Sequence, residues 1–128
     1  MLRLLVQVLL TALLATAPHG AALGATYADD DGSRLEGNCA GRVSWTMEAK
    51  PDDGRIEIKS QIDTDRPGQR WSWVLKHNGS VSERGTSKAS TSSGSFSVER
   101  TAVDISGKDT FRLHATRKAA VCVARVTL

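Results

Sequence analysis

The 128-residue sequence predicts an all-β fold, a single antiparallel β-sandwich of about seven strands. From Gly41 onward, apolar and polar residues alternate with a period of two, which is the pattern of strands that bury one face. Turn sequences rich in Gly, Asp, Asn and Pro interrupt this alternation roughly every 8 to 14 residues. No segment after Gly41 has the apolar spacing of an amphipathic helix.

The first two predicted strands form a hairpin. Apolar residues occupy every second position of "RVSWTMEAK" (42–50), and the alternation returns in "RIEIKSQID" (55–63). "PDDG" (51–54) between them is a turn, because Asp side chains hydrogen-bond the local backbone and Gly adopts a positive φ. The residues expected to face the core are Val43, Trp45, Met47, Ala49, Ile56, Ile58 and Ile62.

The next pair of strands contains two tryptophans, two residues apart, in "RWSWVLKHNGS" (70–80). In a strand this spacing places both indoles on one face, where they either fill the core or form an exposed aromatic platform. Their neighbours on that face are apolar and those on the other face are mostly polar, so we expect Trp71 and Trp73 to be buried. Asn78-Gly79 is a strong hairpin signal and predicts a return strand over about 81–86.

Three more strands follow a polar run. "SKASTSSGS" (87–95) has no periodicity and is predicted to be a flexible loop. Alternation returns in "SFSVER" (95–100), in "DTFRLHAT" (109–116) after the turn "SGKD" (106–109), and in "VCVARVTL" (121–128). Their inward residues are Phe96, Val98, Phe111, Leu113, Ala115, Cys122, Ala124, Val126 and Leu128.

The N-terminus predicts a secretory signal peptide. Arg3 is followed by an uncharged apolar stretch (4–17) and by the small residues "AALGA" (21–25), which suit a signal peptidase. "PHG" (18–20) ends the apolar run before the roughly 20 residues that a membrane span needs. We therefore expect a secreted, extracellular protein that has no membrane contact after cleavage. The predicted division is a signal peptide (1–25), a polar N-terminal segment (26–40) and the β-sandwich domain (41–128).

The chain has two cysteines, Cys39 and Cys122, which predict one disulfide in an exported protein. A reactive or metal-binding pair is disfavoured, because no C-x-x-C motif and no neighbouring His accompany them. A bridge between them closes a loop of more than 80 residues, and the chain-entropy model values that closure at roughly 4.5 kcal/mol.

With predicted strands in the order A, B, C, C′, E, F and G, the chain resembles the immunoglobulin-like and fibronectin-like superfold. "SGKDTFRLHAT" (106–116) stands where such domains enter strand F, although Phe111 occupies the position of the usual corner tyrosine. In antibody domains the disulfide joins strands B and F, whereas here Cys39 precedes strand A and Cys122 opens strand G. If strand A lies parallel to strand G along the sandwich edge, as the resemblance implies, both cysteines start at the same end and can meet.

More narrowly, the leader together with "AKPDDGRIEI", "PGQRW", "HNG", "GSFSVER" and "DTFRLHAT" resembles uncharacterised small secreted proteins of actinomycete bacteria. The resemblance covers roughly residues 39–128. It implies the fold and the export, and it carries over no activity and no site residues.

Composition and motifs argue against several functions. The formal net charge is +3, or +2 once Arg3 is removed with the predicted signal peptide. This excess is too small for nucleic-acid binding, which needs a concentrated basic stripe. Motifs such as G-x-S-x-G and H-E-x-x-H are absent from the sequence, and His77 and His114 are expected to be surface residues, which favours a protein that is not an enzyme. "DDDG" (29–32) lacks the alternating ligands of a calcium loop, so we expect no metal and no other cofactor.

One predicted sheet face carries an uneven charge. The outward residues of strands A, B and E balance, whereas those of C, F and G include four cations and no acid. Strand C′ adds either Glu83 or Arg84, depending on its register. A mixed basic and apolar face suits an acidic protein or glycan, although an ordinary solvated face explains it as well. The candidate binding residues are Arg70, Val74, Lys76, Arg112, His114, Val123 and Arg125.

Two other functions fit the sequence. A carbohydrate-binding module would use Trp71 and Trp73, provided that both indoles are exposed and stack on sugar rings. A small secreted enzyme inhibitor would present a rigid exposed loop such as "STSSGS" (90–95). The exposure of the tryptophans tests the first of these, and protease inhibition tests the second.

Overall fold

The computed structural model describes residues 32–128, whose regular structure is entirely β-strand. These residues contain no helix that is long and apolar enough to cross a membrane. The predicted signal peptide (1–25) and residues 29–31 of the "DDDG" segment lie outside the described residues. The strands are β1 (Ser33–Asn38), β2 (Ser44–Asp52), β3 (Arg55–Asp63), β4 (Arg70–His77), β5 (Ser80–Lys88), β6 (Ser95–Val103), β7 (Thr110–Arg117) and β8 (Ala120–Thr127).

The strands form two four-stranded antiparallel sheets. The first sheet has the order β1-β2-β3-β6, and the second sheet has the order β5-β4-β7-β8. Side chains from both sheets meet in one hydrophobic core, so the arrangement is sandwich-like and the all-β prediction is confirmed. All seven predicted strands are present close to their predicted positions.

β1 is an eighth strand that the alternation does not predict. It lies within the segment predicted to be polar (26–40), and it pairs along its whole length with β2 at the edge of the first sheet. "SRLEGN" contains one large apolar residue, Leu35, which is still 41% exposed. A strand that buries so little is held by backbone pairing with its neighbour, and it therefore leaves no period-two signal in the sequence.

The inward residues predicted from alternation form the core. Trp71 and Trp73 are only 2% and 4% exposed. The indole N–H of Trp73 donates to the hydroxyl of Ser87 at 3.0 Å, and that of Trp71 donates to the side-chain oxygen of Gln69 at 3.3 Å. These indoles are therefore unavailable for stacking on sugars, which a carbohydrate-binding module using them requires. Val43, Trp45 and Leu128, also predicted to point inward, are partly buried against this core.

Each sheet has an edge strand in which a glycine lies beneath a tryptophan. Gly85 of β5 is opposite Trp73, and a Cβ added to it would overlap the indole ring. Gly37 of β1 is opposite Trp45, and a Cβ there would lie 2.8 Å from the indole. Because glycine has no side chain, both indoles fold over their partner strands and cover the backbone there.

The two predicted hairpin turns have the backbone that their sequences require. Asp53 and Gly54 have φ values of 50° and 77°, and Asn78 and Gly79 have values of 48° and 84°. Two consecutive residues with positive φ are the signature of the tight turns favoured between twisted antiparallel strands. The side-chain oxygen of Asn78 also accepts a hydrogen bond from the N–H of Thr110 at 2.8 Å, which ties this turn to β7.

The two sides of the sandwich are closed differently. On one side the disulfide Cys39–Cys122 joins the β1–β2 loop to β8, with Cα atoms 5.4 Å apart, which confirms the predicted bridge. On the other side, between β5 and β6, Arg100 forms an ion pair with Glu83, and its guanidinium lies 5.3 Å from the centre of the Trp73 ring. The hydrogen bond from Arg100 holds the pKa of Glu83 below its ordinary value, although burial opposes that shift.

The polar run 87–95 was predicted to be a flexible loop, but its ends belong to strands: Ser87 and Lys88 end β5, and Ser95 begins β6. Residues 89–94 between them form a compact hydrogen-bonded turn. Ala89 is 1% exposed, and the N–H of Gly94 donates to the carbonyl of Ser90 at 3.0 Å. The hydroxyl of Thr64 donates to the carbonyl of Gly94 at 2.6 Å, which anchors this turn to the end of β3. Backbone groups and serine hydroxyls of the turn hydrogen-bond one another, and local pairing of this kind has no sequence period.

Candidate functional site

The outward side chains of β5, β4, β7 and β8 form one continuous surface, which we call the basic face. Lys76, Arg112 and Arg125 lie opposite one another on adjacent strands, about 4.8 Å apart in the sheet. Arg70 and Lys88 form a further pair of opposed cations near the other end of β4. The cations of this face are Arg70, Lys76, Arg84, Lys88, Arg112 and Arg125, accompanied by His114, and no Asp or Glu of residues 32–128 projects from it.

The structure places all seven candidate binding residues on the basic face. Val74 and Val123 lie half-buried among the charged residues, on either side of His114 in one row across the sheet. Sequence reasoning left Arg84 undecided, because its orientation depends on the register of β5. It did not include Lys88, because that residue was predicted to lie in the flexible loop (87–95), whereas β5 extends to it.

A β-bulge in β5 decides which side chains of that strand reach the basic face. Continuing the regular two-residue hairpin would pair Val74 with Glu83 and place this carboxylate among the cations. Instead the register shifts by one residue, which leaves Ser82 unpaired and sets Arg84 opposite Val74. Glu83 consequently points inward, where it pairs with Arg100. The bulge thus replaces an acid with a base on this surface.

The outward side chains of the first sheet, which we call the mixed face, carry both signs of charge. One row across β1, β2, β3 and β6 reads Arg34, Glu48, Lys59 and Glu99, so that every neighbour has the opposite charge. Arg34 is 3.7 Å from Glu48, and Lys59 is 3.6 Å from Glu99. The face as a whole presents six acids and four bases, a formal balance of −2 against +6 for the basic face.

The cations of the basic face have no carboxylate within ion-pair distance among residues 32–128. The ion pairs within 4.0 Å in this part of the chain are Arg34–Glu48, Arg42–Asp65, Lys59–Glu99, His77–Asp109 and Arg100–Glu83. Each of these pairs lies away from the basic face. Its positive charge is therefore left for solvent ions or for a ligand.

Three adjoining depressions cross the basic face. The first, of about 250 Å³, is lined by Lys76, Arg112, His114 and Val123. The second shares His114 with the first, and the third shares Ser72 and Thr116 with the second. The third reaches the β7–β8 turn, where Arg117 and Lys118 join Arg70. Because each depression shares residues with the next, together they mark a continuous path across the sheet.

His77 and Asp109 form a buried pair away from the basic face. The prediction of a surface His77 is wrong, because its side chain is 11% exposed, stacks on Phe111 and approaches Asp109 to 2.5 Å. Burial acts to raise the pKa of Asp109, but hydrogen bonds from His77, the Ile105 N–H and Asp104 outweigh it and hold that pKa below its ordinary value. No hydrogen bond links this pair to a Ser, Thr or Cys side chain within residues 32–128.

The part of the chain that the structure describes contains no group of three or more His, Cys, Asp and Glu side chains that could hold a metal ion. No protein-family model, no curated protein and no solved structure matches the chain. The chemistry of the basic face is consequently the feature from which a function can be inferred.

Proposed function

We propose that the protein is an exported, non-catalytic β-sandwich that binds an acidic extracellular polymer through the basic face. The observation that carries this proposal is six cations with no acid on one surface of four adjacent strands. Like charges directly opposite each other destabilise a sheet, and favourable cross-strand pairs contribute only about 0.2–1 kcal/mol each. An anionic ligand removes this repulsion and accepts charge-assisted hydrogen bonds from the arginines.

The composition of the basic face favours a polymer over a folded protein. Protein interfaces are enriched in aromatic residues, and the outward residues of the second sheet include none. A narrow cationic path along adjoining depressions suits an extended chain with repeated anionic groups.

The order of the strands supports an immunoglobulin-like or fibronectin-like topology for this module. In the predicted lettering, the sheets are A-B-E, preceded by β1, and C′-C-F-G. Sheets that split B and E from C, F and G are characteristic of that superfold.

The disulfide supports export. Such bonds persist in oxidising compartments and are rare in the cytosol, and Cys39–Cys122 holds the ends of the domain together. The predicted signal peptide (1–25) agrees with this location.

The test compares two variants that change the net charge equally. Arg112→Glu reverses the central cation of the basic face, and Lys59→Glu reverses a cation of the mixed face. We expect the disulfide-bonded domain to bind long-chain polyphosphate or polygalacturonate, with an affinity that falls as salt is added. Arg112→Glu should weaken binding more than tenfold, and Lys59→Glu should change it less than twofold.

Two results would overturn the proposal. Equal losses in both variants would mean that binding follows net charge alone, and no binding of either polymer at low salt would remove the function itself. Neutral dextran serves as the ligand control, since a face recognising negative charge has nothing to bind on it.

The enzyme-inhibitor hypothesis rests on the "STSSGS" turn (90–95). Thr91, Ser92 and Ser93 are exposed there, and the hydroxyl of Ser90 accepts a hydrogen bond from the N–H of Ser93 at 2.9 Å. An inhibitor needs a fixed exposed turn of this kind, so the enzyme-inhibitor function stays a prediction. Measuring whether the domain inhibits secreted proteases tests it.

A further inference from the structure

Five of the six cations of the basic face lie at two places separated along the strands, and the sixth, Arg84, lies between them on β5. We propose that these places are two anion subsites, and that the ligand is a linear polyanion long enough to occupy both at once. This inference rests on the proposed function and adds to it a minimum ligand length and a direction of binding.

The first place, which we call the row subsite, consists of Lys76, Arg112 and Arg125. They are consecutive in one row across three strands, so their Cα atoms span about 10 Å. Lys76 and Arg112 line a depression with His114, and the half-buried Val123 also lines it. Three opposed cations beside a concave surface provide both the charge and the space for one anionic group.

The second place, which we call the turn subsite, consists of Arg70, Arg117 and Lys118. These three residues line one depression at the β7–β8 turn, and Lys88 lies opposite Arg70 on the neighbouring strand. Lys118 has a φ of 52°, a left-handed backbone that glycine or asparagine adopts at lower cost. The backbone at this position disfavours lysine, and a contribution of its positive charge to anion binding would explain why lysine is found there.

The distance between the subsites follows from the strand that joins them. Arg70 and Lys76 are six residues apart on β4, which corresponds to about 20 Å. The surface between them presents the hydroxyls of Ser72 and Thr116, the ring of His114 and, on the neighbouring strand, the guanidinium of Arg84. No acid of residues 32–128 interrupts it. A polyanion can therefore run from one subsite to the other along the shared depressions.

Two subsites on one rigid sheet predict a dependence on ligand length. A short anion occupies one subsite at a time, whereas a chain of 20 Å or more binds the second subsite as an intramolecular event at high effective concentration. Such a gain typically reaches about 100-fold or more. Either subsite alone should retain the weak affinity for the short anion.

The experiment uses tripolyphosphate, which is shorter than the distance between the subsites, and polyphosphate long enough to span it. Polygalacturonate provides a carboxylate polymer of similar reach and distinguishes phosphate from carboxylate recognition. Lys76→Ser/Arg125→Ser removes two charges from the row subsite, and Arg70→Ser/Lys118→Asn removes two from the turn subsite. Lys50→Ser/Arg55→Ser removes two from the mixed face and is the matched control.

In the unmodified domain, the long chain should bind about 100-fold more tightly than tripolyphosphate. Each subsite variant should abolish that difference and keep tripolyphosphate binding, which also shows that the variant is folded, and the control should keep the difference. If the turn-subsite variant binds the long chain normally and the row-subsite variant does not, there is one subsite, and the inference fails while the proposed function survives. Equal affinity of the unmodified domain for short and long chains would likewise contradict the two-subsite inference and leave the proposed function intact. Absence of binding to every polyanion would contradict both the inference and the proposed function.

Discussion

The first sheet ends in β1, where Gly37 lies beneath Trp45, and the second sheet ends in β5, where Gly85 lies beneath Trp73. Inside the sandwich, each sheet thus packs a tryptophan over a glycine of its edge strand. Their outer faces differ, because the mixed face alternates acids and bases within a row and the basic face repeats one sign.

The inner faces of the two sheets are alike because folding requires a packed core, whereas the charges of their outer faces are less constrained by folding. A sheet of a sandwich needs an apolar inner face, whereas many kinds of residue are tolerated on its outer face. Among charged outer residues, opposite charges on adjacent strands stabilise the sheet. In the row of Lys76, Arg112 and Arg125, like charges lie opposite one another, an arrangement that does not stabilise the sheet. The outer surface of the second sheet is accordingly where we propose that a ligand binds.

The largest effect should come from breaking the covalent link between the sheets. Replacing both Cys39 and Cys122 by Ala removes a bridge between residues 83 positions apart, and the free energy of unfolding should fall by up to about 4.5 kcal/mol. Urea unfolding under oxidising conditions measures this. Glu83→Gln, which weakens the ionic link on the opposite side, should cost much less, and equal losses would contradict the contrast between the two sides.

The next largest effect should separate the two glycine–tryptophan pairs. Gly85→Ala forces a methyl group into the ring of Trp73, which is 4% exposed and has no space to move, so we expect a loss of about 3 kcal/mol. Gly37→Ala should cost about 1 kcal/mol, because Trp45 is only partly buried and can shift outward. Urea unfolding followed by tryptophan fluorescence measures both variants. Similar losses would mean that the two edges are equally tight.

A pH-dependent effect should appear at the end of the second sheet. The folded-state pKa of Asp109 lies below its ordinary value of 3.8, so its ionised form contributes stability at neutral pH that is lost as the pH falls below that value. Asp109→Asn should cost about 2 kcal/mol at pH 7, and the cost should shrink under acid conditions.

Asp104 is the control for this titration. Its pKa is raised by the hydrogen bond to Asp109, by burial and by the neighbouring charge, so its contribution to stability is present at low pH and is lost as the pH rises through the folded-state value. Asp104→Asn should therefore stabilise the protein slightly at pH 7. Thermal unfolding of both variants from pH 7 to pH 3 gives the comparison, and a constant cost of Asp109→Asn over that range would refute the assignment.

A smaller effect of opposite sign should come from the inner face of the first sheet. The hydroxyl of Ser60 is buried and has no hydrogen-bond partner among the described residues. Ser60→Ala removes this unsatisfied group and should raise the free energy of unfolding by about 1 kcal/mol. Ser97→Ala on the exposed side of β6 should change it by less than about 0.5 kcal/mol. A loss of stability in Ser60→Ala would show that the hydroxyl has a partner, such as a buried water.

The smallest effect addresses the charge contrast directly. Arg112→Glu places an acid between two cations and should stabilise the domain by about 0.5 kcal/mol, whereas Lys59→Glu places an acid between two acids and should destabilise it by a similar amount. Both changes should diminish in high salt, because exposed charges are screened. Urea unfolding at low and high salt measures them, and shifts of the same sign would disprove the assigned arrangement of charges.

Most of the fold follows from local patterns in the chain. Alternation identifies the inward residues of six strands, since a half-buried strand has to place an apolar side chain at every second position. The dipeptides Asp53-Gly54 and Asn78-Gly79 predict their hairpins, because few other residues adopt consecutive positive φ values. The two cysteines of the chain leave one possible intramolecular bridge.

Part of the candidate site was also predictable, because every second residue of β4, β7 and β8 necessarily shares the outer face. The pairing of His77 with Asp109 was not, since these residues are 32 positions apart and meet through the packing of the β4–β5 turn near β7. β1 escaped prediction for a related reason. Its position depends on a partner strand rather than on its own composition.

The sequence alone therefore establishes which residues point inward in six of the eight strands, because that depends on the strand's own period. The register of β5 depends on contacts with other strands, and only the folded chain establishes it. Trp73 needs Gly85 beneath it, and Arg100 needs Glu83 as a counterion. Both contacts are made once the bulge at Ser82 has shifted the register, and the same shift turns Arg84 outward and completes the basic face.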